Sequence, residues 1–373
     1  MIRYSEQYID ETDIEGIIKT LKSDYLTQGT RIDEFERSLQ DFTGAQFAAC
    51  VSNATAALHL TYLAAGMSKT SLVWTVANTF VATASSAVYC GAEVDFVDIE
   101  LENYSLSLES LEAKLNEVDR SPDFLIVVHF AGRALDLSNI SSLCERSGIT
   151  IIEDASHALG AKVNSQKVGA CCYSKATIFS FHPVKTITTA EGGCVTSNDD
   201  MLISKIKKLR SHAIENQKTI PWYKTQTAIG FNYRMNELQA SLGLTQLKKI
   251  NSLQLKRRRK AKTYFSELKD ANLITPTKDN QRSTSSWHLF VVRLDEVDEN
   301  YRNFIMNKLL ARNIGVNFHY YPLYKLKSFK RTDLLFPKNE VYFKTAITLP
   351  LSLKMTEIQQ EFIIDTITKS LKN

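Results

Sequence analysis

Short apolar runs alternate with stretches of helical periodicity along the first 210 residues of the chain. Apolar runs of strand length occupy residues 47–51, 72–76, 94–97, 124–129, 149–152, 176–181 and 194–197. Helical spacing of apolar residues occurs at 11–22, 32–43, 81–90, 107–118, 137–146 and 201–209, and a further helix is predicted to open on the small polar residues 52–55. Strands that are apolar throughout and are separated by helices are typical of a parallel sheet covered on both faces. The pattern therefore predicts an α/β fold with a large, mostly parallel sheet.

The alternation ends near residue 210, and from about Leu244 the pattern changes to that of a smaller α+β unit. Residues 210–230 are polar and are expected to be irregular, a long helix is predicted to follow, and the basic run KRRRK at 256–260 is interpreted as its solvated face. A strand and two helices are then predicted, at 287–294, 301–312 and 357–372. We therefore expect a large cofactor-binding domain at 1–243 and a smaller α+β C-terminal domain at 244–373.

Composition and charge narrow the class of protein. The chain has 373 residues, 44% of them hydrophobic, which suffices for one large core and a smaller second one. Its 45 basic and 41 acidic side chains leave a net charge of +4, too small an excess to indicate a nucleic-acid partner. The first residues do not resemble a signal peptide, and no apolar run reaches the roughly 18 residues of a membrane span. We expect a cytoplasmic protein without a membrane partner.

The cysteines do not indicate a metal site. None of the six forms a C-x-x-C pair, and most lie in apolar runs. They are interpreted as reduced residues of the core, and no metal is expected.

A lysine just past a predicted strand is the first candidate for chemistry. The apolar run 176–181 ends before Pro183, and Lys185 follows in a turn among threonines. Desolvation at such a place lowers the pKa of a lysine and exposes the free amine that Schiff-base chemistry needs. Gly192 and Gly193 then allow a tight turn into the next strand. A solvated loop lysine is the ordinary alternative.

The string FSFHPVKTITTAEGG around Lys185 resembles the pyridoxal-phosphate lysine segment of the DegT/DnrJ/EryC1/StrS family of nucleotide-sugar aminotransferases, and further matches run from Tyr4 to about Tyr324. The resemblance implies pyridoxal-phosphate fold type I, the aspartate aminotransferase-like fold, and a homodimer with active sites at the subunit interface. It also implies that Lys185 holds pyridoxal 5'-phosphate covalently, with Ser180 near the cofactor phosphate. Some relatives with histidine at the lysine position are dehydratases, so the presence of Lys185 leaves transamination open.

The resemblance is strongest to the branch that aminates a UDP-linked keto sugar in pseudaminic acid biosynthesis. It implies a ping-pong reaction in which L-glutamate gives its amino group, which then passes to C4 of a UDP-4-keto-6-deoxy-N-acetylhexosamine. The free amine of Lys185 would move the proton between the donor α-carbon and the cofactor. Two alternatives stay open: the same chemistry on a GDP- or dTDP-linked keto sugar, and a regulatory protein that keeps the fold and binds ligand without turnover.

Further cofactor contacts are implied near the start of the chain. Asn53, Ala54 and Thr55 open a predicted helix, and free backbone N–H groups at such a helix start suit a phosphate. The family commonly has glycine where this chain has Ala54. Phe80 would stack on the pyridine ring, since an aromatic face suits a flat heterocycle. The ordinary alternatives are helix caps for the first group and a core phenylalanine for Phe80.

Two more cofactor contacts are implied after the predicted strand 149–152. Asp154 stands at the carboxyl end of that strand, where ligands of open α/β sheets bind. By the resemblance its carboxylate keeps the pyridine nitrogen protonated, so that the ring withdraws electrons from the substrate. His157, expected one helical turn later, would contact the ring hydroxyl, where many relatives have glutamine. The alternatives are a helix cap for Asp154 and a satisfied core histidine for His157.

The resemblance also assigns contacts with the nucleotide sugar. These residues are Tyr4, Tyr25, Leu26, Thr27, Gln28, Arg234, His319 and Tyr321. Asn232 would reach the cofactor phosphate of the neighbouring subunit. The alternatives are a capped turn for residues 25–28, a helix N-cap for Asn232, and a polar strand end for His319 and Tyr321.

Overall fold

The computed structural model describes residues 1–216, 220, 222–330 and 336–372. Its strands are β1 Phe47–Val51, β2 Leu72–Val76, β3 Glu93–Val97, β4 Phe124–Val128, β5 Thr150–Asp154, β6 Lys162–Val163, β7 Gln166–Lys167, β8 Ala176–Ser180, β9 Gly193–Ser197, β10 Ile214–Asn216, β11 Lys224–Gln226, β12 Leu273–Ile274, β13 Ser283–Thr284, β14 Phe290–Leu294 and β15 Ala346–Leu349. Its α-helices are α1 Glu11–Leu21, α2 Thr30–Thr43, α3 Ala54–Ala64, α4 Val81–Tyr89, α5 Leu108–Glu117, α6 Ser138–Arg146, α7 Asp200–Leu209, α8 Glu237–Lys248, α9 Ile250–Glu267, α10 Glu299–Ala311, α11 Pro337–Thr345 and α12 Glu357–Lys372.

A seven-stranded sheet forms the centre of the molecule, with the strands in the order β1-β9-β8-β5-β4-β2-β3. The pairs from β8 to β3 are parallel, and β9 runs antiparallel to both of its neighbours. Because β9 follows β8 directly through the Lys185 turn, the two strands can pair as a hairpin, whereas each parallel pair needs a crossover. The prediction of an α/β fold with a large, mostly parallel sheet is confirmed.

The helix α3 is buried among the strands and helices around it. Residues 56–62 are all buried, and the helix packs on α4, α7, β8 and β9. A helix that is apolar on nearly every side belongs to a core. Its N-terminus, which carries Asn53 to Thr55, is therefore fixed in place beside the first residues of β9.

A smaller three-stranded antiparallel sheet, in the order β12-β14-β15, lies in the C-terminal part of the chain. Its core includes Tyr264, Phe290, Ile347 and Ile363. The first residues of the chain join this part, since the backbone N–H of Ile2 donates to Asn313 O at 2.7 Å. Tyr4 is brought towards the central sheet in this way.

The helix predicted after residue 230 is wrong in its limits. Asn236 caps its first turn, so the helix begins at Glu237, and it is interrupted at Lys249, which separates α8 from α9. The helix α8 packs on α1 and α2. The boundary predicted between residues 243 and 244 thus falls inside a helix that packs on the N-terminal part of the chain, and the division into two domains stays a prediction.

Two smaller expectations also need correction. Residues 210–230 are not irregular throughout, because β10 pairs with β11 as an antiparallel hairpin; part of this stretch lies outside the described residues. The six cysteines are free, but Cys172 is exposed in the turn before β8 and is not a core residue.

None of the helices in the described ranges has the length and apolar character of a membrane-crossing segment. The described residues also contain no group of three or more potential metal ligands.

The interpretation of KRRRK as a solvated face is wrong for one residue. Arg257 is 1% exposed, although Lys256 before it and Arg258 and Arg259 after it are exposed. Its Nη1 donates to three backbone oxygens, at 3.0 Å to Leu351, 3.3 Å to Trp287 and 3.5 Å to His288. These bonds compensate part of the cost of burying a guanidinium, although Nε has no partner among the described residues. Arg257 therefore ties α9 to the segment that precedes β14 and to the segment that follows β15.

Replacing Arg257 with alanine should destabilise the chain. The three buried carbonyl groups would lose their donor, and we expect the free energy of unfolding to fall by about 3 kcal/mol in urea titrations. Arg259→Ala, on the exposed face of the same helix, is the matched control and should change it by less than about 0.5 kcal/mol. Equal effects of the two substitutions would contradict this role of Arg257.

Candidate active site

A cleft of about 970 Å³ opens beyond the carboxyl ends of the central strands. Val128, Asp154 and Ser180, the last residues of β4, β5 and β8, line it. This is the edge at which open α/β sheets bind ligands. Ten residues predicted from the sequence line the cleft: Tyr4, Asn53, Ala54, Thr55, Phe80, Asp154, His157, Ser180, Lys185 and His319.

Lys185 lies in the turn between β8 and β9, which is held by its threonines. Thr188 and Thr189 are buried, and both donate to Phe181 O, through Oγ1 at 3.0 Å and backbone N at 2.9 Å. Burial lowers the pKa of the Lys185 amine to about 8, against an opposing effect of Asp154. The fraction of free amine at neutral pH is then much larger than that of an ordinary lysine. This environment does not fit a solvated loop lysine.

Asp154 is held rigidly at the end of β5. Thr83 Oγ1 donates to Oδ2 at 2.7 Å, and Ser156 donates to Oδ1 through Oγ at 2.6 Å and backbone N at 3.1 Å. The chain after β5 is a turn and not a helix, so the alternative of a helix cap is wrong. The carboxylate, 6% exposed, is free to face a cation in the cleft.

His157 belongs to the turn after β5 and not to the helix expected there. Its Nδ1 accepts a hydrogen bond from Ala131 N at 3.2 Å, and its Nε2 lies 3.0 Å from Tyr320 Oη. Since Nδ1 accepts, Nε2 carries the proton and donates to the phenol. Burial, with smaller effects of Lys185 and His319, lowers the pKa of His157 well below its usual value. A neutral imidazole thus faces the cleft.

The N-terminus of α3 and the start of β9 approach each other closely at one end of the cleft. Asn53 Oδ1 accepts from Ala56 N at 2.8 Å, which caps the helix. A Cβ on Gly193 would lie 2.6 Å from the carbonyl carbon and oxygen of Asn53 and 2.7 Å from Ala54 N. Only glycine allows β9 to pass there. The backbone N–H groups of the first helical turn lack partners within the helix and are a ready site for a phosphate.

Aromatic and imidazole rings also line the cleft. Phe80 is 55% exposed and lies 5.9 Å from the ring of Tyr320, and Tyr4 lies 5.4 Å from the ring of His319. His319 Nδ1 is 2.9 Å from Thr348 Oγ1, and burial lowers the pKa of this histidine to about 3. The exposure of Phe80 does not fit a core phenylalanine.

Seven predicted residues are outside the lining of the cleft: Tyr25, Leu26, Thr27, Gln28, Asn232, Arg234 and Tyr321. The turn at 25–28 is tied to α8, since Glu237 N donates to Leu26 O at 3.0 Å. Asn232 is not a helix N-cap, because it pairs with Ser211 in an isolated bridge. Arg234 donates to Ser211 Oγ at 3.2 Å. The roles proposed for these residues stay predictions.

The sequence analysis missed several residues at this site. Tyr320, His182, His59 and Tyr233 line the cleft, and His288 lies behind Lys185. Tyr320 belongs to the string HYYPLY, in which the sequence analysis selected His319 and Tyr321 as contacts with the nucleotide sugar. Alternation along an extended segment could have separated Tyr320 from Tyr321. His182 lies in the string FSFHPVKTITTAEGG but was not selected, and Tyr233 lies between the predicted Asn232 and Arg234. No local signal marks His59 or His288.

Comparisons with known proteins agree with this site. The chain matches the DegT/DnrJ/EryC1/StrS aminotransferase family over residues 7–368. It is 36% identical to the UDP-4-amino-4,6-dideoxy-N-acetyl-beta-L-altrosamine transaminase of Campylobacter jejuni subsp. jejuni serotype O:23/36 (strain 81-176), with 100% of this chain and 98% of that protein covered.

Two solved structures have nearly the same fold. Helicobacter pylori PseC, described as an aminotransferase involved in the biosynthesis of pseudoaminic acid, has a TM-score of 0.93 at 30% identity, with 100% of this chain and 99% of that chain covered. The putative sugar aminotransferase Spr1654 from Streptococcus pneumoniae, in its PMP-form, has a TM-score of 0.94 at 27% identity, with the same coverage.

Fold, cleft and relatives define a sugar aminotransferase that depends on pyridoxal phosphate. The chain belongs to the DegT/DnrJ/EryC1/StrS aminotransferase family.

The residues of the cleft fit pyridoxal 5'-phosphate. Lys185 offers an amine with a lowered pKa, Asp154 a fixed carboxylate, and α3 an N-terminus that Gly193 leaves open. Lys185 would hold the cofactor covalently, Asp154 its ring nitrogen, and Asn53 to Thr55 with Ser180 its phosphate. When bound, the cofactor supplies an electron sink for the substrate carbon that loses its proton.

Replacing Asp154 with asparagine should weaken cofactor binding. The substitution keeps the shape but removes the negative member of a buried ion pair, a loss that typically costs about 3–5 kcal/mol. We expect titration of the cofactor-free protein, followed by visible absorption, to show that loss, and turnover to fall with it.

Glu153→Gln is the matched control. Glu153 precedes Asp154 on β5, but its side chain contacts His129 at 2.6 Å on the other face of the sheet. Cofactor affinity should be unchanged in this variant. Near-normal affinity and turnover of Asp154→Asn would show that its carboxylate does not serve the cofactor.

Proposed function

We propose that the protein transfers the amino group of L-glutamate to C4 of a UDP-4-keto-6-deoxy-N-acetylhexosamine, UDP-2-acetamido-2,6-dideoxy-β-L-arabino-hex-4-ulose, in pseudaminic acid biosynthesis. The observation that carries the proposal is the 36% identity, over the whole chain, to the Campylobacter jejuni transaminase. The cleft of about 970 Å³ supports it, because a ligand of nucleotide-sugar size fits beside Lys185.

The residues of this chain have distinct tasks in that reaction. Lys185 Nζ accepts the proton that leaves the α-carbon of the amino donor, and the free amine is available because burial lowers its pKa. Tyr4 and His319 lie at the side from which the sugar enters. The nucleotide contributes most of the binding free energy and positions the C4 carbonyl.

A homodimer with shared active sites is part of the proposal. Among the described residues that line the cleft, Lys185 is the sole lysine or arginine, although the substrate carries two phosphates. Ile14, Ile18 and Leu21 of α1 are 43%, 46% and 54% exposed, which gives this helix an apolar face towards solvent. A second subunit would cover that face and would bring Asn232 and Arg234 to the neighbouring cleft.

Mixing two inactive variants should restore part of the activity. Lys185→Ala removes the amine, and Asn232→Asp places a carboxylate where the neighbour's phosphate is expected. A heterodimer would then contain one intact site, and equal mixing predicts about a quarter of the wild-type activity. Subunit exchange is confirmed separately by mass spectrometry of the mixed dimers. No recovery after confirmed exchange would favour sites built within one chain.

The sugar substrate is tested by comparing kcat/KM with glutamate as donor. We expect the UDP-linked β-L-arabino keto sugar to be aminated faster than its D-xylo epimer or a dTDP-4-keto sugar. A preference of tenfold or more, about 1.4 kcal/mol, for either competitor would overturn the substrate assignment and leave the aminotransferase activity intact. Cofactor binding without turnover of any of the three would favour the regulatory alternative.

A further inference from the structure

A buried histidine lies behind Lys185, outside the lining of the cleft. His288 is 2% exposed, and its Nε2 is 3.5 Å from Lys185 Nζ. Within the described part of the chain this is the one side-chain hydrogen bond of the Lys185 amine, and His288 Nδ1 has no partner there. The distance is at the long end of hydrogen bonding, as catalytic contacts commonly are before they tighten in the reacting complex.

The backbone around His288 is fixed from three sides. Arg257 donates to its carbonyl oxygen, and Leu289 N donates to Ala131 O at 3.2 Å. Ser286 Oγ donates to His157 O at 2.6 Å. These contacts fix the backbone from which the imidazole reaches the lysine.

A glycine permits this close packing. Gly132 has a φ of +96°, and a Cβ there would lie 2.3 Å from Ser286 Oγ and 3.0 Å from His288 N. A side chain at residue 132 would therefore push the His288 segment away from the central sheet. The sheet and the C-terminal part of the chain meet here at backbone contact.

The charges around this pair favour a neutral imidazole. His288 faces Lys185, His157, Arg257 and His319, and no carboxylate is among these groups. Burial, followed by the effect of Lys185, lowers the pKa of His288 well below its usual value. Lys185 in turn faces Asp154, His157 and His319 as well as His288. A neutral imidazole can accept from an ammonium or pair with a free amine, so it can serve Lys185 in both protonation states.

We propose that His288 is the positioning residue of the transamination, which holds Lys185 Nζ at the floor of the cleft through Nε2 whenever the lysine amine is free. Nζ takes one proton from the substrate carbon and becomes an ammonium that would pass this proton to the cofactor, and until then His288 Nε2 accepts a hydrogen bond from one of its N–H groups. His288 is neither a proton donor to the substrate nor a cofactor contact. It acts through Lys185.

The test compares His288→Phe, which keeps a ring without nitrogen, with His288→Gln, whose amide reaches the position of Nε2. With phenylalanine, kcat should fall about ten- to hundredfold, because a misplaced proton-transfer group loses that much. The KM of the keto sugar should stay within about threefold, since His288 does not line the cleft. Glutamine should restore kcat to within about fivefold of wild type. If the phenylalanine variant does not fold, His288→Leu takes its place.

A second measurement does not depend on turnover. The rate at which cofactor-free protein captures pyridoxal 5'-phosphate reports the free amine of Lys185, and its pH dependence gives the pKa of that amine. Loss of the imidazole removes a partner that stabilises the ammonium, so the pKa should fall by about half a unit or more in His288→Phe and recover in His288→Gln. His129→Gln, a buried histidine outside the cleft that pairs with Glu153, is the control and should leave the profile unchanged.

Each result decides the proposal. A lower kcat with an unchanged KM, a shifted capture profile and rescue by glutamine would support it. An unchanged capture profile in His288→Phe would show that His288 only fills space. A raised KM with unchanged kcat, or failure of a folded glutamine variant to recover, would equally overturn the role in positioning Lys185.

Discussion

A lysine amine is deprotonated near neutral pH only if the protein shields it from water and no carboxylate forms an ion pair with it. This constraint shapes the structure around Lys185. The turn that carries the lysine is buried through its threonines. Asp154 shares the cleft, but both of its oxygens already accept hydrogen bonds, from Thr83 and Ser156. The carboxylate raises the pKa of Lys185 less than burial lowers it. The direct partner of the amine is the neutral imidazole of His288.

Two close backbone approaches make this arrangement possible. At one, Gly193 allows β9 to pass the N-terminus of α3, so that the turn between β8 and β9 lies beside the helix start that is proposed to hold the phosphate. At the other, Gly132 allows the segment before β14 to reach the central sheet. The turn that carries Lys185 therefore lies between the N-terminus of α3 and the segment before β14. At Gly193 a Cβ would collide with backbone atoms, and at Gly132 it would collide with Ser286 Oγ and crowd the backbone N of His288.

Local pattern predicted residues at strand ends, whereas Tyr4 and His319, which reach the cleft from distant parts of the chain, came only from the family resemblance. Asp154, Ser180 and Lys185 could be predicted from the ends of the apolar runs and from the long lysine motif, because local pattern determines where a strand stops. His288 could not be found in this way, since its place depends on packing between distant segments. Arg257 was within reach, because Leu253, Arg257 and Ala261 share one helical face and the outer two are apolar. A run of charge conceals such a face when it is judged by composition alone.

The adjacent acids at the end of β5 show how a strand separates stability from chemistry. Successive side chains of a strand point to opposite faces, so Glu153 and Asp154 enter different environments. Burial acts to raise the pKa of Glu153, but hydrogen bonds from His129, Ser174 and Thr177 together hold it below its usual value. That carboxylate is satisfied within the protein. The Asp154 carboxylate accepts hydrogen bonds from Thr83 and Ser156, and it also lines the cleft. A one-residue shift of β5 would exchange the two acids, so the register of the central sheet decides which acid faces the cofactor.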